Sequence, residues 1–241
     1  YFLVYGSFLN IKSIEASDSK LFGAEEITRI IVPYAIPRYP WRALFTPGHM
    51  LFWQLAKTST ITSRVVPIFE SVFIKPDWGK RVLKIEVNER LFFGVWCSDK
   101  NVIGFVNSGE QTETCFAFDR EGVIFGQAPR AEGSLLFLVR NENLFSGFLG
   151  GNILPRGNWI RNVFDTLAVI NDQGGSANLI VIKSYALEEW EVRLPEGPRL
   201  LFSLNFIPQN LFGLLRNLEK RFDLEKLEYI DFRVQNRVFY K

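Results

Sequence analysis

Alternating apolar and polar residues flank a short turn between residues 71 and 87. The two runs, 71–75 and 81–87, are separated by Pro76-Asp77-Trp78-Gly79-Lys80, whose residue types favour a turn. The apolar residues of the second run share one face of an extended chain: Leu83, Ile85 and Val87. This pattern predicts a β-hairpin with one buried face. Another layer of structure has to cover that face, which favours a mixed fold.

The segment before the hairpin supplies candidates for that layer. Residues 9–16 alternate weakly and predict a first strand. Ile and Tyr residues at helical spacing in 27–34 predict a helix that Pro33 should end or kink near Val32. Residues 37–53, rich in proline and aromatic side chains, predict a loop, and residues 60–66 predict a second helix. The order strand, helix, helix, strand, strand predicts a small α+β domain.

After residue 90 the pattern changes to short strands with turn residues between them. The candidate strands are 91–97, 102–106, 115–119, 123–127, 135–140, 179–185, 190–194, 200–204 and 227–234. Two helices are expected, one over 160–170 and one that opens at Pro208 and buries Leu211, Leu214, Leu215, Leu218 and Phe222. We therefore expect an α+β chain: a lead-in at 1–9, an α+β domain at 10–89, and a mostly β domain at 90–241 with both helices packed on an antiparallel sheet.

Composition argues against catalysis, metal binding and nucleic-acid binding. The net charge is +2, and basic residues alternate with acidic ones, so there is no clustered surface for phosphate. His49 is the one histidine, and no nucleophile motif surrounds it. With two cysteines and one histidine, a Cys/His zinc site is excluded on ligand number. We expect no enzymatic activity, no cofactor and no metal.

Two features bear on the cellular compartment. Cys97 and Cys115 lie in strand-like segments, and either they form a disulfide, as in an oxidising compartment, or they are two buried thiols. The run Tyr1–Leu9 is apolar apart from Gly6 and Ser7, which is too short to cross a bilayer by itself. It fits either the outer end of a membrane span or a first strand.

Three segments resemble the FtsQ/DivIB family of septal cell-division proteins. Residues 67–75 and 83–90, with a proline before the first strand and Glu-Arg after the second, are similar to the closing hairpin of that family's POTRA domain. Residues 229–233 and 236–241, Tyr-Ile-Asp-Phe-Arg and Asn-Arg-Val-Phe-Tyr-Lys, are similar to its C-terminal signature. Residues 118–125 resemble its Asp-x-x-Gly-x-x-Phe turn.

The resemblance implies a non-enzymatic scaffold of the division septum. Such a protein has one membrane span, which this sequence lacks, and its POTRA and β domains lie on the outer side of the plasma membrane. Its partners are other division proteins, FtsB/DivIC-like and FtsL-like, and no nucleic acid or small-molecule substrate is implied. The alternative is a POTRA-bearing scaffold of an envelope assembly or secretion system.

The resemblance also places partner binding at the C-terminus. The expected contact residues are Arg233, Val234, Asn236, Arg237, Val238, Phe239, Tyr240 and Lys241. Alternation predicts that Ile230, Phe232 and Val234 anchor the preceding strand, which leaves the last residues at a sheet edge. The resemblance implies that a partner strand adds there; the alternative is an ordinary final strand whose Lys and Arg side chains blunt the edge. The basic residues of this set are expected to pair with acidic groups of the partner. A further set of contacts, with division proteins or the membrane, is expected at Lys75, Lys80 and Arg81 around the Trp78 turn.

Overall fold

The chain divides into two units, Tyr1–Leu91 and Phe92–Lys241. A computed structural model describes residues 9–17, 19–35, 46–55, 66–98, 114–129, 137–143, 149–172, 177 and 179–241. Three predictions fall wholly or mostly outside the described residues: the lead-in at 1–9, the helix at 60–66 and the strand at 102–106. The mixed α+β class predicted for the chain is confirmed.

The first unit contains a three-stranded sheet. Its strands are β1 (Ser13–Ala16), β2 (Phe69–Asp77) and β3 (Val82–Glu89). β3 lies in the middle, antiparallel to β2 and parallel to β1. The predicted hairpin is therefore present, joined by the turn at residues 78–81. Because β1 and β3 are parallel, both strands begin at the end of the sheet that carries this turn.

Two helices accompany the sheet, and both differ from the sequence prediction. α1 (Ala24–Ala35) continues past Pro33, because a proline so near the end of a helix removes only the hydrogen bond to the carbonyl of Arg29. α2 (Met50–Leu55) lies in the segment predicted as a loop. It begins where the Nδ1 atom of His49 accepts a hydrogen bond from the N–H of Leu51 (3.2 Å), a capping contact that apolar periodicity does not reveal.

The helices cover the apolar face of this sheet. Their packed side chains come from α1, α2, β2 and β3, and include Ile27, Ile31, Phe52, Trp53, Phe69, Val72, Leu83 and Ile85. Alternate residues of β2 and β3 face this core, as the hairpin pattern predicts.

Among its described residues, the second unit contains a nine-stranded sheet and two helices. Its strands are β4 (Gly94–Ser98), β5 (Thr114–Phe118), β6 (Ile124–Gln127), β7 (Leu138–Asn141), β8 (Leu179–Ser184), β9 (Glu189–Arg193), β10 (Arg199–Ser203), β11 (Tyr229–Asp231) and β12 (Phe239–Tyr240). Its helices are α3 (Gly157–Asp172) and α4 (Leu211–Arg221), and a short 3₁₀ turn spans Leu224–Lys226.

The predicted antiparallel sheet is wrong, because this sheet is mixed. Its strand order is β12-β11-β10-β9-β8-β7-β4-β5-β6, and the pairs β10–β11, β7–β8 and β4–β7 are parallel. The chain passes through α3 between β7 and β8, and through α4 between β10 and β11. Crossovers of this kind return the chain in the same direction and so produce parallel neighbours.

One face of the large sheet packs against α3 and α4. Its core includes Trp96, Phe118, Val139, Ile160, Val163, Ile180, Trp190, Phe202, Ile230 and Phe232. Phenylalanine fills much of it, as in the contacts of Phe93 and Phe118 with Phe164. Within the described residues, no helix has both the length and the apolar character that a membrane crossing requires.

Candidate partner-binding edge

The last strand, β12, lies at one edge of the nine-stranded sheet. It pairs antiparallel with β11, and Lys241 extends the pairing: its N–H donates to the carbonyl of Tyr229 (3.2 Å) and its carbonyl accepts from the N–H of Glu228 (2.6 Å). Backbone groups of successive strand residues point in opposite directions. The backbone N–H and C=O of Lys241 face β11. Those of the preceding residue, Tyr240, therefore point away from the sheet.

The two edges of this sheet differ. At the opposite edge, the N–H of Ile124 in β6 donates to the carbonyl of Gly151 (2.8 Å), and the carbonyl of Ile124 accepts from the N–H of Gly150 (2.7 Å). The segment that contains Gly150 and Gly151 therefore pairs with the beginning of β6. No segment among the described residues pairs with the outer side of β12. Among the described residues, the outer side of β12 is therefore open to strand addition.

Aromatic side chains flank the open edge on both faces of the sheet. Tyr240 lies opposite Ile230, on the side of the helices, and its ring packs against Phe222 with centroids 4.8 Å apart. Phe239 lies opposite Asp231, on the other face. Phe239 and Tyr240 are 49% and 47% exposed. A strand added at this edge would meet an exposed aromatic ring above and below its backbone.

Two apolar residues near this edge are more exposed than the sequence pattern predicts. Val234, predicted to anchor the strand, is instead 47% exposed. β11 ends at Asp231, and the following turn, in which Asn236 has a φ of 60°, breaks the alternation. Phe222, expected on the buried face of α4, is 36% exposed because the helix ends at Arg221 and the chain there becomes extended. Sequence periodicity assumes that an element continues, so it misplaces residues just beyond an element's end.

A groove of about 200 Å³ lies next to β12. One wall is the segment 206–209 and the other is the turn that connects β11 to β12, including Val234, Asn236, Arg237 and Val238. Phe232 lines it and belongs to the core. Of the predicted contact residues, Val234, Asn236, Arg237 and Val238 line this groove, and Phe239, Tyr240 and Lys241 form the strand edge. Arg233 belongs to neither.

The charged residues of the predicted set fall into two groups. The guanidinium of Arg233 is paired within the chain, with Asp231 (2.6 Å) and with Glu189. Lys241 Nζ lies 3.1 Å from Glu228, but both side chains are exposed, so this pair is weak. Arg237 is exposed and has no ion pair among the described residues. Arg237 and Lys241 are therefore the cations that an acidic partner can reach.

The ion pair between Asp231 and Arg233 shifts the pKa of both residues. Burial by itself raises the pKa of Asp231, but hydrogen bonds from the side chain and backbone of Arg233, and its charge, outweigh burial and leave this pKa below the ordinary value of 3.8. The hydrogen bond to Asp231 raises the pKa of Arg233 further. The pair is ionised at neutral pH, and the contact of Arg233 with Glu189 links the end of β11, across β10, to β9.

The two cysteines are joined. Cys97 in β4 lies directly opposite Cys115 in β5, with Cα atoms 4.1 Å apart, and the two sulfur atoms are bonded. Both residues are buried. The disulfide is far from the C-terminal edge in strand order, so it contributes to the stability of the sheet and not to the candidate binding edge.

The histidine considered for catalysis, His49, is buried and caps α2. Glu188 and Glu189, which are adjacent in sequence, are ion-paired with Arg156 and Arg233. Within the described residues, no three His, Cys, Asp or Glu side chains are grouped closely enough to hold a metal ion.

Comparison with protein-family models finds no match, and comparison with curated proteins finds none either.

Proposed function

We propose that this chain is the outward-facing part of a non-enzymatic septal division scaffold of the FtsQ/DivIB type, which binds other division proteins by accepting a partner strand at β12. The observation that carries the proposal is the open edge at Phe239–Tyr240, flanked by exposed aromatic rings. A partner strand there would satisfy the outward N–H and C=O of Tyr240, and pockets beside the edge would select its side chains.

Electrostatics support a partner with acidic residues. Arg237 and Lys241 are exposed beside the edge, and Glu228 offsets only the second. Charges at the rim of an interface contribute more to specificity and association rate than to affinity. The partner proposed is an FtsB/DivIC-like protein, with an FtsL-like protein in the same assembly.

The disulfide and the order of elements in the first unit are both consistent with this function. A structural disulfide such as Cys97–Cys115 is typical of oxidising compartments, which supports an extracytoplasmic position at the plasma membrane. In the first unit the described elements follow the order β1, α1, α2, β2, β3, which supports a POTRA-like domain.

The experiment is a titration of the 241-residue chain with the extracytoplasmic segment of the FtsB/DivIC-like protein from the same organism. A truncated variant of the protein ends after Arg233 and so lacks β12 and the groove wall formed by residues 234–238. Circular dichroism and thermal unfolding establish whether this variant is folded. Leu187→Ala, which removes an exposed apolar side chain from the β8–β9 turn, is the control.

The proposal predicts binding by the intact chain and by Leu187→Ala, and no binding by the folded, truncated chain. Equal binding by the truncated chain would move the site away from β12. If the intact chain does not bind, the division function is wrong as stated, and the envelope assembly or secretion scaffold becomes the better hypothesis.

A further inference from the structure

The chain enters the first unit at the end of the sheet that carries the β2–β3 turn. The N–H of Lys12 donates to the carbonyl of Arg81 (2.8 Å), and the N–H of Ile11 donates to the carbonyl of Gly48 (2.8 Å). Residues 10–12 are therefore held between the turn at 78–81 and the turn at 46–49. The sequence preceding β1 must join the unit at this end.

That preceding sequence is strongly apolar. Residues 1–9 read Tyr-Phe-Leu-Val-Tyr-Gly-Ser-Phe-Leu and contain no charged residue. Under the proposed function, this run is the outer end of a membrane span. The end of the unit where β1 begins then lies close to the membrane, whatever the position of the rest of the chain.

The surface at this end has the composition of a membrane interface. Trp78 is 42% exposed at the tip of the turn, with Gly79 and Lys80 exposed beside it, and Lys12 is also exposed. The acidic residue of the turn, Asp77, is engaged by Lys84 Nζ (2.9 Å) and by the N–H of Lys80 (3.2 Å). The turn therefore presents an indole ring and lysine ammonium groups, without an unpaired carboxylate.

An exposed tryptophan in a tight turn does not stabilise the core, but the headgroup region of a bilayer favours its amphipathic ring. Lysines at the same depth are attracted to anionic headgroups. We propose that the 78–81 turn rests on the membrane surface, with Trp78 among the headgroups and with Lys12 and Lys80 against anionic lipid. This inference rests on the membrane attachment in the proposed function, and it concerns a surface separate from β12.

The test is the partition of the 241-residue chain onto vesicles of phosphatidylcholine with phosphatidylglycerol, compared with phosphatidylcholine alone. Lys80→Glu should lower partition onto the anionic vesicles by at least about fivefold, because each basic residue near such a surface contributes about that factor. Trp78→Ala should also lower partition, because it removes the amphipathic ring from the headgroup region. Matched controls are Leu21→Ala and Lys20→Glu, which change exposed residues beside Glu89 at the far end of β3, roughly 23 Å away. The controls should bind as the unchanged chain does.

A second readout locates the contact on the ring itself. In a chain that carries Trp41→Phe, brominated phosphatidylcholine in the anionic vesicles should quench tryptophan fluorescence. Adding Trp78→Phe should then remove that quenching, since the four remaining tryptophans, Trp53, Trp96, Trp159 and Trp190, are buried.

Partition and quenching that are unchanged in the Trp78 and Lys80 variants would overturn the inference, because binding would then come from residues outside this turn. The same variants should keep their affinity for the division partner. Failure here is thus distinguishable from failure of strand addition at β12.

Discussion

Arg233 joins the end of β11 to the beginning of β9 through its guanidinium. It pairs with Asp231, whose side chain is largely buried, and with Glu189. Replacing Arg233 with glutamine leaves Asp231 without its cation in a mostly buried position. We expect Arg233→Gln to lower the free energy of unfolding by about 1–2 kcal/mol at neutral pH, between the values for exposed and buried pairs, as measured by urea denaturation. No change in stability would mean that solvent already screens the pair.

The same pair makes a prediction about pH. Because the folded pKa of Asp231 lies below its ordinary value of 3.8, its ionisation stabilises the folded chain above that value, and this contribution is lost as the pH falls through the folded pKa. The difference in free energy of unfolding between the unchanged chain and Asp231→Asn should therefore be constant near neutral pH and shrink below about pH 4. A difference that grows on acidification would contradict the assignment.

Gly122 occupies a position that no other residue fits well. Its φ is +75°, and a Cβ atom there would lie 3.1 Å from side-chain carbons of both Ile153 and Ile160. Gly122→Ala should lower the free energy of unfolding by about 2–3 kcal/mol, through the left-handed backbone and the crowded core together. Gly126→Ala, where no atom lies within 4 Å, is the control and should be close to neutral. Equal effects of the two changes would contradict this account.

At the scale of elements, the disulfide fixes the β4–β5 pair. Cys97 and Cys115 are separated by 18 positions, and a cross-link over a loop of this length stabilises a protein by about 3 kcal/mol. Guanidinium denaturation with and without reductant should show a loss of this size. The double change Cys97→Ala with Cys115→Ala should be as unstable as the reduced chain and insensitive to reductant. Equal stability of oxidised and reduced chains would show that the bond adds nothing.

Sequence patterns predicted the elements of this fold better than their pairing. The hairpin of β2 and β3, helix α3 and strands β8 to β10 follow local periodicity, and all lie within a few residues of the predicted positions. The parallel pairs were not predicted, since they depend on crossovers through α3 and α4 that bring distant residues together. α2 was missed because six residues show too little of a helical period.

The candidate site was predictable only in part. The C-terminal residues were placed at a sheet edge from their sequence, and β12 is an edge strand. The pairing of Arg233 with Glu189, 44 positions away, left no signal in the sequence. The exposure of Phe222 and Val234 depends on where α4 and β11 end, which is the least certain part of any prediction from pattern.

At the scale of the whole molecule, the two edges of the large sheet differ within the described residues. Gly150 and Gly151 pair with Ile124 at the beginning of β6, whereas no described segment pairs with the outer side of β12. Natural proteins usually block exposed edges, so an edge with aromatic rings on both faces is typical of a surface that another chain covers. We propose that the chain that covers this edge binds as a strand paired with β12.

The most direct measurement is the affinity of Tyr240→Pro for the FtsB/DivIC-like segment, compared with Tyr240→Ala. Both changes remove the ring, but proline also removes the outward N–H, and β11 does not use this group. With both variants folded, strand addition predicts that proline weakens binding at least about tenfold more than alanine does. Equal affinities of the two variants would show that the partner does not pair with this edge.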